Sequence, residues 1–406
     1  MSSSNSNSNT EELSESSDEN MDNLNNIDLT CNIIKHYNVI YELGRGSFSI
    51  VWLVYNILNN NFYALKVQNP DEYADGLSEI KFVQKLPKIP NVFNNIVEYF
   101  IEEIDKQKFL CSVWELHCTN IDSLLRKGQF TNGFDYDSAI NIMKQLVLSV
   151  KILHENYRVF HGDIKSDNIL VKGINNKDKF IMDKYKEANF PDTFRKAKDT
   201  VGNKLNTKTK IAIRKTIHKT ISLKIIEDLK HTDIDNHNID NKYLNNMSIS
   251  LADFGTHCEA HNYYEESFGT RYYQAPEIIL MGKCSYPVDM WAIGCTFYEL
   301  VSGKLLFDPI KDSTYSRDYY HLALICDTCG YFPESFLKET KYYKNYFRKM
   351  KLIDYTSSSI NRMDSKIAEL NLTSEQKKQI KYILSGLLTI DPKKRWSINM
   401  LQKILD

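Results

Sequence analysis

Three residues that can do chemistry stand close together in His161-Gly162-Asp163-Ile164-Lys165-Ser166-Asp167-Asn168-Ile169-Leu170. Asp163, Lys165 and Asn168, at offsets 0, +2 and +5, supply a carboxylate to receive or orient a hydroxyl proton, a cation for a moving phosphoryl group, and an amide oxygen for a metal. A second carboxylate, Asp253, ends the apolar run in Leu251-Ala252-Asp253-Phe254-Gly255 and suits magnesium. Upstream lies Leu43-Gly44-Arg45-Gly46-Ser47-Phe48-Ser49-Ile50-Val51, between two strand-like runs. Gly44 and Gly46 let a backbone turn approach phosphates where any Cβ would collide; a plain hairpin turn is the other reading. Fifteen residues after Val51, Ala64-Leu65-Lys66 puts an ammonium at the end of an apolar strand, which is costly unless anions meet it. Phosphate oxygens and a carboxylate from the next helix would serve. Glu79 is the expected partner, because Glu72 precedes the clear apolar spacing.

The elements that must carry these residues are readable from pattern. VIYELG, SIVWLVYN and NFYALKVQ read as strands, with turn-rich NILNNN between the last two. Phe82, Val83 and Leu86 have helical spacing, and NIVEYFIEE and KFLCSVWEL return to strand. Beyond about Asp122 the chain becomes mainly helical. A small strand-rich part followed by a larger helical one predicts an α+β fold in two lobes, and 406 residues exceed one small core.

Further runs follow in order: Gly269-Thr270-Arg271-Tyr272-Tyr273-Gln274-Ala275-Pro276-Glu277, then Asp289-Met290-Trp291 with Gly294, then Asp391-Pro392-Lys393-Lys394-Arg395. Together these motifs resemble the eukaryotic protein kinase domain over residues 37–406, some nine-tenths of the chain. The resemblance implies a small lobe at 37–118 and a large lobe at 119–406. It implies ATP and Mg2+ as cofactors: the loop Leu43–Val51 with Ala64, Lys66 and the hinge residues Glu115 and Leu116 would contact ATP. Lys66 would pair with Glu79, Asp163 would be the catalytic base, Lys165 the γ-phosphate contact, and Asn168 and Asp253 the metal ligands. Trp114 falls at the back of the pocket. Glu277 with Arg395 would brace the large lobe, and Asp289 would tie the catalytic loop from below.

Lys165 two residues after Asp163 matches the Ser/Thr-specific pattern, which implies protein substrates. GRGSFSIVWLVYN, EYADGLSEI and the run Ser316–Ile325 resemble the SR-protein kinases, which act on arginine-rich substrates. Three positions depart: Gly162 replaces an arginine, Gln274 replaces another, and 308–318 mixes Asp308, Asp312 and Asp318 with Lys311 and Arg317. With no arginine at 162, activity is expected to need no phosphate on Tyr263, Tyr264, Ser267 or Thr270, and the Thr270 hydroxyl is expected to bond Asp163 and Lys165. Two other readings stay open. Small-molecule phosphotransferases share His-Gly-Asp with Asn five residues after the Asp, and a pseudokinase would use the domain as an interaction scaffold.

Residues 1–30 hold Ser and Asn with Glu11, Glu12, Glu15, Asp18, Glu19, Asp22 and Asp28 but no Lys or Arg, and are expected to be a disordered acidic tail. Residues 172–247 read as an insert. Within 194–224, ten Lys/Arg face the single acid Asp199, and Ile213, Ile217, Ile221, Ile225 and Leu229 recur every four residues. A solvated insertion with one short docked helix is one reading; a basic amphipathic helix for a partner, an import receptor or nucleic acid is the other. The net charge of −1 argues against polyanion binding by the whole chain. No apolar run of 18 residues and no signal-like stretch is present, so no membrane contact is expected. Eight scattered cysteines read as reduced intracellular thiols. A cytosolic monomer is expected, the basic segment leaving the nucleus open.

Overall fold

Strands rich in β-branched and aromatic residues build the first sheet. The computed structural model describes residues 27–46, 48–201, 206–232, 234, 239, 241–244, 246–260, 267–355 and 362–406. Ser47, Tyr263, Tyr264 and the acidic stretch 1–26 lie outside the described residues. Strands β1 (Ile33–Ile34), β2 (Tyr37–Arg45), β3 (Ser49–Asn56), β4 (Asn61–Gln68), β5 (Ile96–Ile104) and β6 (Gln107–Trp114) form one antiparallel sheet in the order β1-β2-β3-β4-β6-β5. Period-two alternation sends Ile50, Trp52, Leu65, Val67, Cys111 and Val113 into one apolar cluster. Leu29 belongs to that cluster and Ile27 packs against it. Residues ten positions before Tyr37 are therefore already packed, and the last residues assigned to the tail are part of the sheet's core.

Two compact units divide the chain, but not at the expected lobe boundary. The first takes the described residues within 1–80, 96–116 and 184–233; the second takes 81–95, 117–183 and 234–406. Much of the insert thus belongs with the first sheet rather than with the large helical part. Its 24-residue helix, Thr207–Lys230, is capped by the Asn206 side chain, which accepts from the Thr209 amide. The buried residues of this helix are His218, Ser222 and Ile225, and the remaining members of the isoleucine stripe are only half-buried. A strict spacing of four advances about 40° per step around a helix, so such a stripe cannot stay on one face. Polar and aromatic groups do the docking instead. Asn38 on β2 donates to Ser222 Oγ at 2.6 Å and to the His218 carbonyl at 3.2 Å. Tyr55 stacks on Tyr185 at 4.7 Å, and Phe190 stacks on His218 at 4.2 Å.

Burial, and behind it the Arg214 charge, pushes His218 down to about 4 from its ordinary 6.5. A base whose folded value lies below its unfolded one is protonated more readily in the unfolded chain. Stability therefore rises with pH between about 4 and 6.5 and is lost as pH falls through that window. Acidifying from pH 7 to pH 4.5 should loosen the docked helix by on the order of 2 kcal/mol. Hydrogen exchange of the 207–230 amides measures this, and His218→Phe should flatten the dependence. Equal pH dependence in both proteins would show that another group is responsible.

The second unit is built on helices. Tyr136–Ile152 buries Ala139, Ile142, Met143, Leu146, Val147 and Val150 on one stripe, and the Asp135 side chain caps its start. Pro287–Ser302 is buried almost throughout, with Trp291 and Phe297 wholly enclosed. A Cβ on Gly294 would come within 2.9 Å of Leu388 Cδ2, so this helix packs close only because the residue is glycine. Short strands β7 (Thr119–Asn120), β8 (Val159–Phe160), β9 (Ile169–Val171), β10 (Ile249–Leu251) and β11 (Cys258–Glu259) frame the loop that carries Asp163. Among the described residues no helix is long and apolar enough to cross a membrane. All eight cysteines are free thiols.

Candidate active site

In the first unit, antiparallel register sets Val51 opposite Lys66 and Lys66 opposite Ser112. Ala64 and Lys66 then share the face away from the apolar cluster of Leu65 and Val67. Lys66 Nζ meets Glu79 Oε2 at 2.7 Å, with the Glu79 side chain 5% exposed. Glu79 is thus the paired carboxylate, as its place in the Tyr73–Val83 helix predicts; Glu72 precedes that helix in a 3-10 turn. The glycine turn closes with the Gly46 amide donating to the Ser49 carbonyl at 2.9 Å. A Cβ on Gly44 would meet nothing within 4 Å, and one on Gly46 only the Ser49 carbonyl at 3.8 Å. The chain's own packing therefore does not demand glycine at either position. Arg45 is engaged by Glu42 at 2.6 Å. Phe48 is exposed, Leu43 and Ser49 are half-buried, and Ile50 turns into the core. Trp114 sits opposite Ala64 and donates to Ser112 Oγ, with Glu115 and Leu116 following it half-buried.

In the second unit, Asp163 is the hub. Lys165 Nζ lies 2.7 Å from Asp163 Oδ2 and donates to Thr270 Oγ1 at 2.7 Å. The Thr270 amide donates to Asp163 Oδ1 at 2.7 Å, and its hydroxyl also bonds that carboxylate. One residue thus ties both partners through its hydroxyl, as expected, and adds a backbone donor to the carboxylate. Asn168 Nδ2 donates to the Asp163 carbonyl at 2.8 Å. Burial works to raise the Asp163 carboxyl, but the Lys165 ammonium and the Thr270 hydrogen bond outweigh it and hold the group below its ordinary 3.8.

Asp253 and Asn168 reach one place through strand pairing. Leu251, the last residue of β10, lies opposite Ile169, the first of β9, so Asn168 just before β9 and Ala252-Asp253 just after β10 leave the sheet at the same end. The Ala252 amide donates to the Asn168 carbonyl at 3.0 Å. Asp253 is exposed and holds a left-handed φ of 63°, a conformation kept where surrounding structure fixes it. With its amide nitrogen engaged, Asn168 keeps a carbonyl oxygen, which together with the exposed carboxylate makes an all-oxygen donor pair. Magnesium is commonly held by one or two protein oxygens plus phosphates, so the pair fits it.

Asp289 ties the loop from below: its carboxylate accepts from the His161 amide at 2.8 Å, the Gly162 amide at 2.9 Å and the His154 ring at 2.9 Å. Phe254 packs against Phe82, Phe93 and His161. A second support escaped the sequence reading. Glu299, wholly buried, pairs with Arg126 and accepts from Tyr273 at 2.6 Å, and Tyr273 reaches Ser166 at 3.1 Å. The signal was available: Asp289 and Glu299 are the only acids in the apolar helix Pro287–Ser302. Farther out, Arg395 makes a bidentate pair with Glu277 at 2.7 and 2.9 Å, with side chains 0% and 1% exposed.

The model of the protein kinase domain matches residues 37–184 and 193–404. A serine/threonine-protein kinase SRPK of Physarum polycephalum is 24% identical, covering 89% of this chain and 83% of that protein. The protein kinase dsk1 of Schizosaccharomyces pombe is 22% identical over 89% of this chain and 78% of its own length. A protein of Acanthamoeba polyphaga mimivirus, named as a serine/threonine-protein kinase, is 24% identical over 90% of this chain and 86% of its own length. Against these matches the small-molecule phosphotransferase and the scaffold readings fall away: the chain is an ATP-dependent protein serine/threonine kinase. This chain belongs to the protein kinase family.

Proposed function

We propose that Asp163 orients the substrate hydroxyl for in-line attack while Lys165 meets the developing phosphoryl charge, with Asn168 and Asp253 holding Mg2+ and Lys66, kept in place by Glu79, holding the nucleotide phosphates. The observation that carries this reading is the Asp163–Lys165–Thr270 constellation, with acceptor and cation 2.7 Å apart and both fixed by one residue. Bound Mg2+ would neutralise phosphate charge; the chain's own part is positioning. Glycines at 44 and 46 that no neighbouring protein atom requires support a ligand's backbone approach as the reason for them. Labelled-phosphate transfer from ATP to a Ser/Thr peptide array, with Asp163→Asn as blank, tests the assignment. A blank as active as the wild type would overturn it.

The substrates we propose are serine-containing, arginine-rich peptides, the class implied by the chain's likeness to the SR-protein kinases. The acids of 308–318 would attract them only moderately, because Asp318 is engaged by Arg271 and Asp312 by Tyr320 and two backbone amides. Labelling that ignores neighbouring arginines would discard this substrate class and leave the kinase intact.

The activation segment is proposed to work without phosphate. Gly162 has φ of 81°, and a Cβ there would meet the Thr256 carbonyl at 2.8 Å, so no arginine fits in this backbone. Gln274 donates to Ser267 Oγ at 3.1 Å and to the Phe268 carbonyl at 2.9 Å, stitching the residues before Thr270 with a neutral amide. Phosphatase treatment of the purified protein should leave its rate within about twofold, whereas Gln274→Ala should lower it by roughly tenfold, the loss of one or two buried hydrogen bonds. Abolition of activity by the phosphatase refutes this.

A further inference from the structure

Where the end of helix Arg317–Cys329 meets helices Arg362–Ala368 and Ser374–Leu387, the second unit leaves an open cavity of about 360 Å³. Met363, Leu384, Leu388 and Ile390, all buried, supply its apolar wall. The cavity lies within one unit, and no residue placed in the catalytic site lines it. Its size is that of small-molecule sites and equals about a dozen waters at ~30 Å³ each, against a wall that offers them few partners. Leu388 is held from the opposite side, where it packs close to Gly294. Charge gathers at the rim. Lys394, 71% exposed, stands 4.0 Å from Asp391, longer than a hydrogen bond, and its ammonium donates to nothing among the described residues. Lys381 spends one of its three protons on Asp364 at 2.5 Å. Asp391 is the only acid among the lining residues; its side chain is 10% exposed and its Oδ1 accepts from the Lys393 amide at 3.0 Å.

We propose that this cavity binds a small apolar monocarboxylate, with its aliphatic tail against Leu384 and Leu388 and its carboxylate on Lys394. The volume sets the size: a saturated chain of about eight to ten carbons has close to a dozen non-hydrogen atoms, each replacing roughly one water. The tail frees water that the apolar wall cannot bond. The head makes a charge-assisted hydrogen bond to an ammonium that has no other, and it stays at the rim in contact with solvent. A second negative charge is disfavoured, because Asp391 stands in the same wall. The ligand binds only the folded unit and therefore stabilises it. This inference stands apart from the catalytic assignments, since it concerns neither nucleotide nor substrate hydroxyl.

Calorimetric titration of the full chain with octanoate, kept below its micelle concentration, tests the site. A Kd on the order of 0.1 mM is expected for a ligand of this size, and about 1 mM octanoate should raise the melting temperature by roughly 3 °C. 1-Octanol keeps the tail and drops the charge, so it should bind about tenfold more weakly. Lys394→Gln should weaken octanoate by about tenfold and leave octanol unchanged, a split that a merely structural role for this lysine would not produce. Ser385, an exposed lining residue, offers the second variant: Ser385→Trp should fill the mouth and abolish binding of both ligands, with thermal melting as the check that each variant is folded. Failure of the wild type to bind octanoate at about 1 mM overturns the proposal. Equal octanoate affinity in the wild type and Lys394→Gln overturns it as well, and binding undiminished by Ser385→Trp places the ligand elsewhere on the chain and refutes this site.

Discussion

Asp163→Asn should lower the phosphoryl-transfer rate by about 10³-fold, within the range for loss of a positioned acid–base group, while leaving the fold in place. The asparagine keeps an oxygen to accept the Thr270 amide, so the loop's main tether survives. What goes is the charge opposite Lys165 and the acceptor strength at the substrate hydroxyl. The carboxyl already sits below its ordinary 3.8, which makes Asp163 a weak base before reaction. Its main task is then to aim the hydroxyl, with the proton leaving late, as metaphosphate-like transfer requires. Asp163 stays ionised from pH 8 down past pH 5, so any acid limb in that interval belongs to another group. Single-turnover rates of both proteins, with thermal melting as the check on folding, decide the matter. A loss under tenfold would remove Asp163 from the chemistry.

The loss should be specific to transfer. Lys66 lies on the sheet of the first unit and Glu79 on the helix Tyr73–Val83, and Asn168 hangs on the Asp163 backbone carbonyl rather than mainly on its carboxylate. Nucleotide affinity of Asp163→Asn should therefore stay within a few-fold of wild type, measured by calorimetry alongside the rate. A large fall in affinity would mean that the substitution disturbs the nucleotide site and that the rate loss says little about the hydroxyl.

The parts of this site that could be read from the sequence are those whose chemistry is local. Asp163, Lys165 and Asn168 share one short loop, and Lys66 with Glu79 follows from a buried cation that needs an anion. Three-dimensional answers were harder to read. Part of the Thr270 contact to Asp163 runs through a backbone amide, and a backbone donor has no signature in residue type. The docking of the insert was misread because the eye follows isoleucines, whereas His218 and Ser222 are the groups wholly buried against Asn38. Ser222 and the His218 carbonyl can occupy that seam because Asn38 donates to both, partners up to 180 residues away, while the His218 ring is held by stacking on Phe190 rather than by hydrogen bonds. The start of the packed chain slipped for a related reason. Leu29 and Ile27 stand in an acidic, Asn-rich context, and two apolar residues suffice to finish a sheet's core when the sheet supplies the rest.

Glu277→Ala should destabilise the second unit by about 3–5 kcal/mol, although the pair it breaks does not touch the reacting atoms. All five guanidinium hydrogens of Arg395 have acceptors: Glu277 in bidentate fashion, and the carbonyls of Thr389, Pro287 and Ile390. Removing the carboxylate leaves a cation with 0% exposure, no counter-charge and no route to water. At roughly 2–4 °C per kcal/mol for a unit of this size, melting should fall by on the order of 10 °C. Breaking an exposed pair on the same unit, Lys338 with Glu334 at 60% and 59% exposure, should leave melting almost unchanged. Arg395→Lys should resemble Glu277→Ala rather than a conservative change, because an ammonium offers three donors with no planar fork. The decisive variant is Glu277→Leu with Arg395→Met. If the single losses come from an uncompensated buried charge, removing both charges should recover most of the stability, since an apolar pair of similar volume often matches a buried salt bridge. If the double variant melts as low as either single one, the backbone carbonyls that Arg395 gathers, not the ion pair, hold this corner together.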